Sequence, residues 1–468
     1  KHMKINRNMS AVRANKQLLG TENRLSKSMK RLSSGYKINS AEDNPAGMAI
    51  SNKMKAQIEA LDQAKSNSSD AQNVMKIADG ALGEVSSMLQ RIRELAVQGA
   101  SDTYSENDKK ALQSEIDELT KEVDRISGDT EYNTKSLLDG SSDTRVYVRQ
   151  KDANGNMTQL NSYITRINFS DNVASDKYEL TVNSLATQAT GSLASATKPD
   201  AEGTISINGV SVAVKADMTQ DEYIQALQKA ATTAGTTMQV NGDSISFLSN
   251  EYGSDSTVNI SLSSSLKALA GAGYENADDG SGNMQLKSNG KDAVVTGGEN
   301  LSDKTIRADG NRVYVVGNSG FSMDFLLSSD MDMTAGSSNL QIDISDIGNM
   351  AVQIGANEGQ EMKIRIPEVS SQTLYLDTVD VTVKGGADKA MSTLDEAIEY
   401  VSGVRSRIGA FQNRLESAES SLSETSENMT GAYSNIMDTD MATEMTEYAA
   451  QNIPSRSEEH TSELQSQR

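Results

Sequence analysis

Cysteine and tryptophan are absent from this 468-residue chain, which also holds only two histidines, four prolines and 4% aromatic residues. Without cysteine there are no disulfides and no thiolate metal sites. The histidines are His2 and His460, one near each end. A Ser-His-Asp triad, a Cys-His dyad or a histidine zinc site is therefore unavailable to everything between them. Scarce aromatics and a hydrophobic content of 36% argue against one large core and for slender packing. Basic residues are in deficit too, 44 against 65 acidic ones, for a net charge of −21. Phosphate neutralisation needs a basic face, so no nucleic acid is expected as a partner. No apolar run approaches the roughly 18 residues that cross a bilayer, so no membrane partner is expected. The opening Met3-Lys4-Ile5-Asn6-Arg7-Asn8 lacks the apolar core of a secretory signal. Lys1-His2 before it read as vector-derived.

Other chemistry is equally thin. Glutamates and aspartates on helical faces read as solvated surface charge. Asp438 and Asp440 have no EF-hand loop around them. No Gly-Lys-Ser/Thr follows Gly35 or Gly47, which rules out a phosphate loop there. The expectation is a protein that is not an enzyme and carries no cofactor and no metal.

What is present is helical periodicity at both ends. Val74, Ile77, Leu82, Val85, Met88 or Leu89, Ile92 and Leu95 form one stripe. Leu394, Ile398, Val401, Val404, Ile408, Phe411, Leu415, Ala418 and Leu422 form another. Spacings of three and four residues place each set on one seam facing a partner helix. An earlier helix carries Ile5, Met9, Val12, Leu18 or Leu19, Leu25, Met29 and Leu32, and Ser33-Ser34-Gly35 should stop it. Asn44-Pro45 marks a turn, with Pro45 in the first turn of a long helix from Ala46 to about Gln98. Ser105 to Asp108 has the form of a capping box for a second helix closing at Gly128, which makes a helical hairpin. Ser392 to Asp395 has the same form and is expected to open the long C-terminal helix.

Between the ends the pattern changes to short alternating runs. Arg145–Val148, Thr204–Ile207 with Val210, Arg312–Val316, Leu340–Ile344 and Met362–Ile366 read as strands. Asn208-Gly209 and Asn241-Gly242 read as hairpin turns. Thr219 to Glu222 caps a short helix bearing Tyr223, Ile224, Leu227 and Ala230. Ser192–Pro199 and Asp278–Gly282 read as linkers or loops.

Five segments carry a family resemblance. They are Arg31–Ile50, Leu89–Gln98, Gln353–Gln360, Ile408–Glu416 and Asp438–Met445, and in this order they resemble bacterial flagellin, the filament subunit. Residues 203–261 resemble a small β-rich insertion module found in some flagellins. The resemblance implies an α+β fold: a long antiparallel helical coiled-coil bundle formed by both chain ends, with a β-hairpin and an inserted β-rich outer domain. It divides the chain into terminal coiled-coil segments at 3–44 and 435–453, a bundle core at 45–178 and 343–434, and a variable outer domain at 179–342. A hook–filament junction protein shares the architecture, and the complete set of five motifs favours flagellin. A flagellin with an inserted zinc protease would need a His-Glu-x-x-His helix, which the histidine positions exclude.

Function follows from the same resemblance. The chain is expected to be secreted to the bacterial flagellum and to polymerise with itself for motility, through a seam of Ile5, Met9, Val12, Leu25, Met29 and Leu32. An export chaperone and the cap protein are further implied partners. Toll-like receptor 5 is implied as an innate-immune partner, with Gln90, Arg91, Leu95 and Glu115 as matching residues. Arg91 would be the charged anchor and Leu95 the apolar one. One departure stands out: after Ile453 the sequence turns polar, beginning with Pro454. The C-terminal end reads as truncated or altered there. Residues 454–468 are expected to lack a helical face, leaving the helix of Ile5 to Leu32 without a partner.

Overall fold

The computed structural model describes residues 9–101, 103–151, 157–159, 163–170, 172–276, 282–331, 333, 337–345 and 347–466. Six α-helices fall among them: α1 (Met9–Ser34), α2 (Pro45–Ala100), α3 (Glu106–Asp129), α4 (Gln220–Thr233), α5 (Gly386–Met437) and α6 (Met441–Ser466). Contacts divide the chain into two compact units. One is residues 1–73, 351–362 and 412–468; the other is 74–350 and 363–411.

In the first unit the start of α2 runs antiparallel to the end of α5. Gln72 donates to Glu419 at 3.2 Å, Lys65 to Ser423 at 3.4 Å, and Ser426 to Asp62 at 3.1 Å, so rising numbers on one helix meet falling numbers on the other. Leu61, Ala64 and Leu422 form a buried cluster there, with Ala356 and Met429 packed against it. Helix α1 ends as its sequence requires, at Gly35 with φ +76°, a conformation a side chain resists. Asn44 Oδ1 accepts from Gly47 N at 2.9 Å and caps α2 at Pro45.

The second unit contains the helical hairpin and the larger sheets. Ser105 and Asp108 make the expected capping box at the start of α3. By contrast, Ser392 caps nothing, because α5 already begins at Gly386. Asp395 instead accepts from Arg93 at 2.6 Å, and Asp79 accepts from Arg405 at 2.9 Å, setting α5 antiparallel to α2. The core of this bundle is Leu82, Val85, Leu89, Ile92 and Leu95 of α2 with Leu394, Val401, Val404 and Ile408 of α5, all buried. Ile77, expected on the seam, is 41% exposed; Met75 and Ala78 are buried in its stead.

Two antiparallel sheets share one core. The first orders Val294–Gly297, Lys177–Ser184, Ser338–Ile344, Val146–Lys151 and Met157–Gln159; the second orders Thr305–Asp309, Arg312–Val316, Ser322–Leu327 and Ile164–Phe169. Leu180, Val182 and Ile342 from one meet Val313, Val315 and Phe325 from the other in a single buried cluster. The boundaries expected at 178/179 and 342/343 cut through paired strands of the first sheet. A period-2 pattern marks strands without saying which of them share a sheet.

A second module, Gln188–Asn289, is nested inside this sandwich. It has a five-stranded sheet, a three-stranded sheet and α4, around a core with Tyr223, Leu227, Phe247 and Ile260. It is wider than the 203–261 segment read from sequence, because Gln188–Leu193 and Met284–Asn289 supply strands to it. Ser192 and Leu193, read as linker, lie in one of those strands. Asn208 and Gly209 both have positive φ between the paired Ile207 and Val210, a two-residue hairpin turn. Most of the loop expected at Asp278–Gly282 lies outside the described residues.

Candidate functional site

Two surfaces hold the residues singled out by sequence, one in each unit. The first is the pair α1 and α6, which pack along one another. Helix α6 continues through Pro454 to Ser466. This corrects the expectation of a break at Pro454 and of a first helix without a partner. An interior proline removes one backbone hydrogen bond at a cost of about 3 kcal/mol, and packing along α1 offsets such a loss.

The pair mixes apolar and polar side chains inside. On α1, Leu18, Thr21, Leu25, Ser28 and Leu32 repeat at spacings of three and four. Thr21 and Ser28 are buried, and the three leucines half-buried. On α6 the withdrawn positions among the described side chains are Glu444, Tyr448, Gln451 and Asn452. Glu444 lies 3.6 Å from Arg31. Among the described residues, Ser28 Oγ and Gln451 Oε1 are buried without a hydrogen-bond partner. Apolar side chains also face outward: Met9, Val12, Leu19 and Met29 of α1, with Met441, Met445 and Ile453 of α6, are 47–72% exposed. The expected seam is therefore split. Leu25 and Leu32 lie on the inner side, Met9, Val12 and Met29 lie outside, and Ile5 falls outside the described residues.

A tight junction sets the breaks beside this pair. Tyr36 and Asp438 form an isolated antiparallel bridge, and Lys37 N donates to Met437 O at 2.7 Å. Asp440 caps α6, accepting from Ala442 N at 2.9 Å and Thr443 N at 3.2 Å. Asp43 accepts from Asn39 N at 3.1 Å and Ser40 N at 3.0 Å. Hydrogen bonds to the ionised form, led by Thr443 N and Asn39 N respectively, hold both carboxyls below the ordinary aspartate range. Asp438 and Asp440 thus serve turn and cap chemistry, and no metal cluster exists among the described residues.

The second surface lies on α2 and α3. Arg91 donates to Glu115 at 2.7 Å and to Glu94 at 3.2 Å, bridging the hairpin. Gln90, Arg91 and Glu115 are exposed as expected. Leu95 is not: at 1% exposure it belongs to the bundle core, on the stripe it shares with Ile92 and Leu89. Its spacing of three from Ile92 and six from Leu89 carries it onto the buried face. The exposed apolar side chain is Val97, which shares a shallow depression of about 460 Å³ with Gln90, Arg93, Glu94 and Gln98. Its sequence signal was the spacing from Gln90 and Glu94, seven and three residues, which keeps all three on one face.

Comparison with known sequences places both ends of the chain in one family. The bacterial flagellin N-terminal helical region matches residues 5–143, and the bacterial flagellin C-terminal helical region matches 391–468. A flagellin of Clostridium tyrobutyricum is 31% identical over 461 residues, covering 97% of this chain and 96% of its own. Flagellin D of Vibrio anguillarum is 27% identical over 442 residues, 94% of this chain and 91% of that one. A Salmonella rubislaw flagellin is 27% identical over 476 residues, 94% of this chain and 93% of that one. The chain belongs to the bacterial flagellins. That family is structural, not enzymatic, and its members are exported from the cell as subunits of the flagellar filament. The C-terminal match runs through residues 454–468, which the sequence reading had set apart.

Proposed function

We propose that this chain polymerises by burying the outward apolar side chains of α1 and α6 against further copies of itself. The observation that carries this reading is the set of exposed apolar side chains on α1 and α6, left outside a contact row that Thr21 and Ser28 share with three half-buried leucines. Burying an aliphatic side chain is worth about 1.5–3 kcal/mol, and several at once outweigh the charge repulsion of an acidic subunit. A head-to-tail contact that does not close generates a helical filament. Helices α1 and α6 are the polymerising parts in this scheme, α2, α3 and α5 the bundle core, and the sheets with their nested module the variable insert. The chain acts without enzymatic chemistry, with an export chaperone and the cap protein as accessory partners. Negative-stain electron microscopy of the purified chain at rising concentration tests the proposal. Long helical filaments are expected. Monomers at every concentration would overturn it, and assemblies of fixed short length would favour a hook–filament junction role.

A second reading concerns Toll-like receptor 5, with Gln90, Arg91 and Glu115 as the polar contacts. The bridge from Arg91 to Glu115 supports it, since it holds side chains from two helices in one fixed patch. Val97 supplies the apolar contact, and Leu95 supports the patch from beneath. Surface plasmon resonance with the receptor ectodomain tests this reading. Arg91→Ala and Val97→Ala are expected to weaken binding, and unchanged binding by both would sink it.

A further inference from the structure

Methionine is distributed unevenly over the surface. Among the described residues, the methionines with largely exposed side chains are Met9, Met29, Met441 and Met445, all on α1 and α6. The other described methionine side chains are buried or half-buried, as at Met75, Met323 and Met362 in the bundle and sheets. The chain has no cysteine and no tryptophan. The thiolate that usually reacts first with two-electron oxidants is therefore missing, and accessible methionine sulfur is the softest nucleophile left.

We infer that these four thioethers are a peroxide-sensitive modification site, and that their oxidation closes the assembly face. The inference rests on the proposed burial of the α1–α6 surface between copies. In the reaction a sulfur lone pair attacks one oxygen of hydrogen peroxide, a sulfur–oxygen bond forms and the oxygen–oxygen bond breaks. The departing hydroxide takes up the remaining proton and leaves as water. Sulfur loses two electrons and peroxide gains them. The product sulfoxide carries a strong hydrogen-bond acceptor on what had been an apolar side chain. Exposed in the free subunit, that oxygen is solvated. Pressed against a second copy beside Val12, Leu19 and Ile453, it meets side chains with no donor, and its desolvation opposes association.

The test uses the full chain and hydrogen peroxide in limited amounts. Peptide mass spectrometry should find sulfoxide first at Met9, Met29, Met441 and Met445, while Met75 and Met323 remain unoxidised. The critical concentration for polymerisation should rise by at least about tenfold, the effect of one poorly paired polar group at each contact. A variant with all four changed, Met9→Leu, Met29→Leu, Met441→Leu and Met445→Leu, should polymerise equally before and after peroxide. The same four positions changed to Gln should polymerise poorly without any oxidant, and circular dichroism should show helix content unchanged. Oxidation that begins at buried methionines overturns the inference, as does unimpaired polymerisation of the fully oxidised chain. Failure of the untreated chain to polymerise overturns the assembly reading itself, and is told apart by occurring before any oxidant is added.

Discussion

Arg31 of α1 lies 3.6 Å from Glu444 of α6, with 35% of the arginine side chain exposed but only 8% of the glutamate. The two partners are thus unequal. Removing the carboxylate frees an arginine that can turn to water; removing the arginine strands a nearly dry charge. Arg31→Ala should loosen the pairing by about 3 kcal/mol and Glu444→Ala by about 1 kcal/mol. Amide hydrogen exchange along α1 measures both. Equal effects, or a larger one for Glu444→Ala, would show that the carboxylate is solvated.

Leu95 and Arg91 should separate stability from recognition. Leu95→Ala leaves a cavity in the bundle and should cost about 2–5 kcal/mol, read as a lower midpoint in urea. Arg91→Ala removes an exposed pair and should change the midpoint by less than about 1 kcal/mol. A receptor-binding defect in Arg91→Ala at unchanged stability is the expected signature of a surface contact.

Acid should weaken the junction beside α6. Asp43 and Asp440 both titrate below the ordinary value of 3.8 in the folded chain. Their contribution is complete above that value and is lost as pH falls through the depressed folded values. Hydrogen exchange at Ala442 and Thr443 should accelerate over that range. In Asp440→Asn, which keeps a side-chain acceptor without the charge, the dependence at those two amides should largely vanish. A persistent dependence there would point to another carboxyl.

Pro454 offers a direct check on the continuity of α6. Pro454→Ala restores a backbone donor and should stabilise α6 by up to about 3 kcal/mol, raising the melting point of its far-ultraviolet dichroism. A drop in helix content on substitution would mean that the proline is needed where it stands.

Much of the fold was legible because local chemistry and tertiary packing agree. The capping boxes at Ser105 and Thr219 work as read, with both reciprocal hydrogen bonds formed. Where the two disagree, packing wins. Ser392 to Asp395 has the same letters, yet Arg93 takes the Asp395 carboxylate and the helix begins earlier. Leu95 was legible as core from the stripe it shares with Leu89 and Ile92, whereas the contact role implied by the family resemblance carries no information on burial. The α1 stripe was read as one seam. Two apolar rows were merged in it, and the row that contacts α6 is completed by Thr21 and Ser28, which hydrophobicity cannot flag. The wider extent of the nested module was hidden for a related reason: Gln188–Leu193 is Ser/Thr/Gly-rich and gains its strand identity only from pairing with Ser244–Tyr252.

The nested module has one more consequence. Its chain departs after Lys177–Ser184 and returns into Val294–Gly297, and Ser184 and Val294 are paired neighbours. Exit and re-entry therefore share a doorstep, and the host sheet closes there whatever the excursion contains. A lineage could enlarge, exchange or discard the excursion while leaving the polymer's contacts untouched. The same doorstep is a natural graft point for foreign sequence that is to be displayed in many copies.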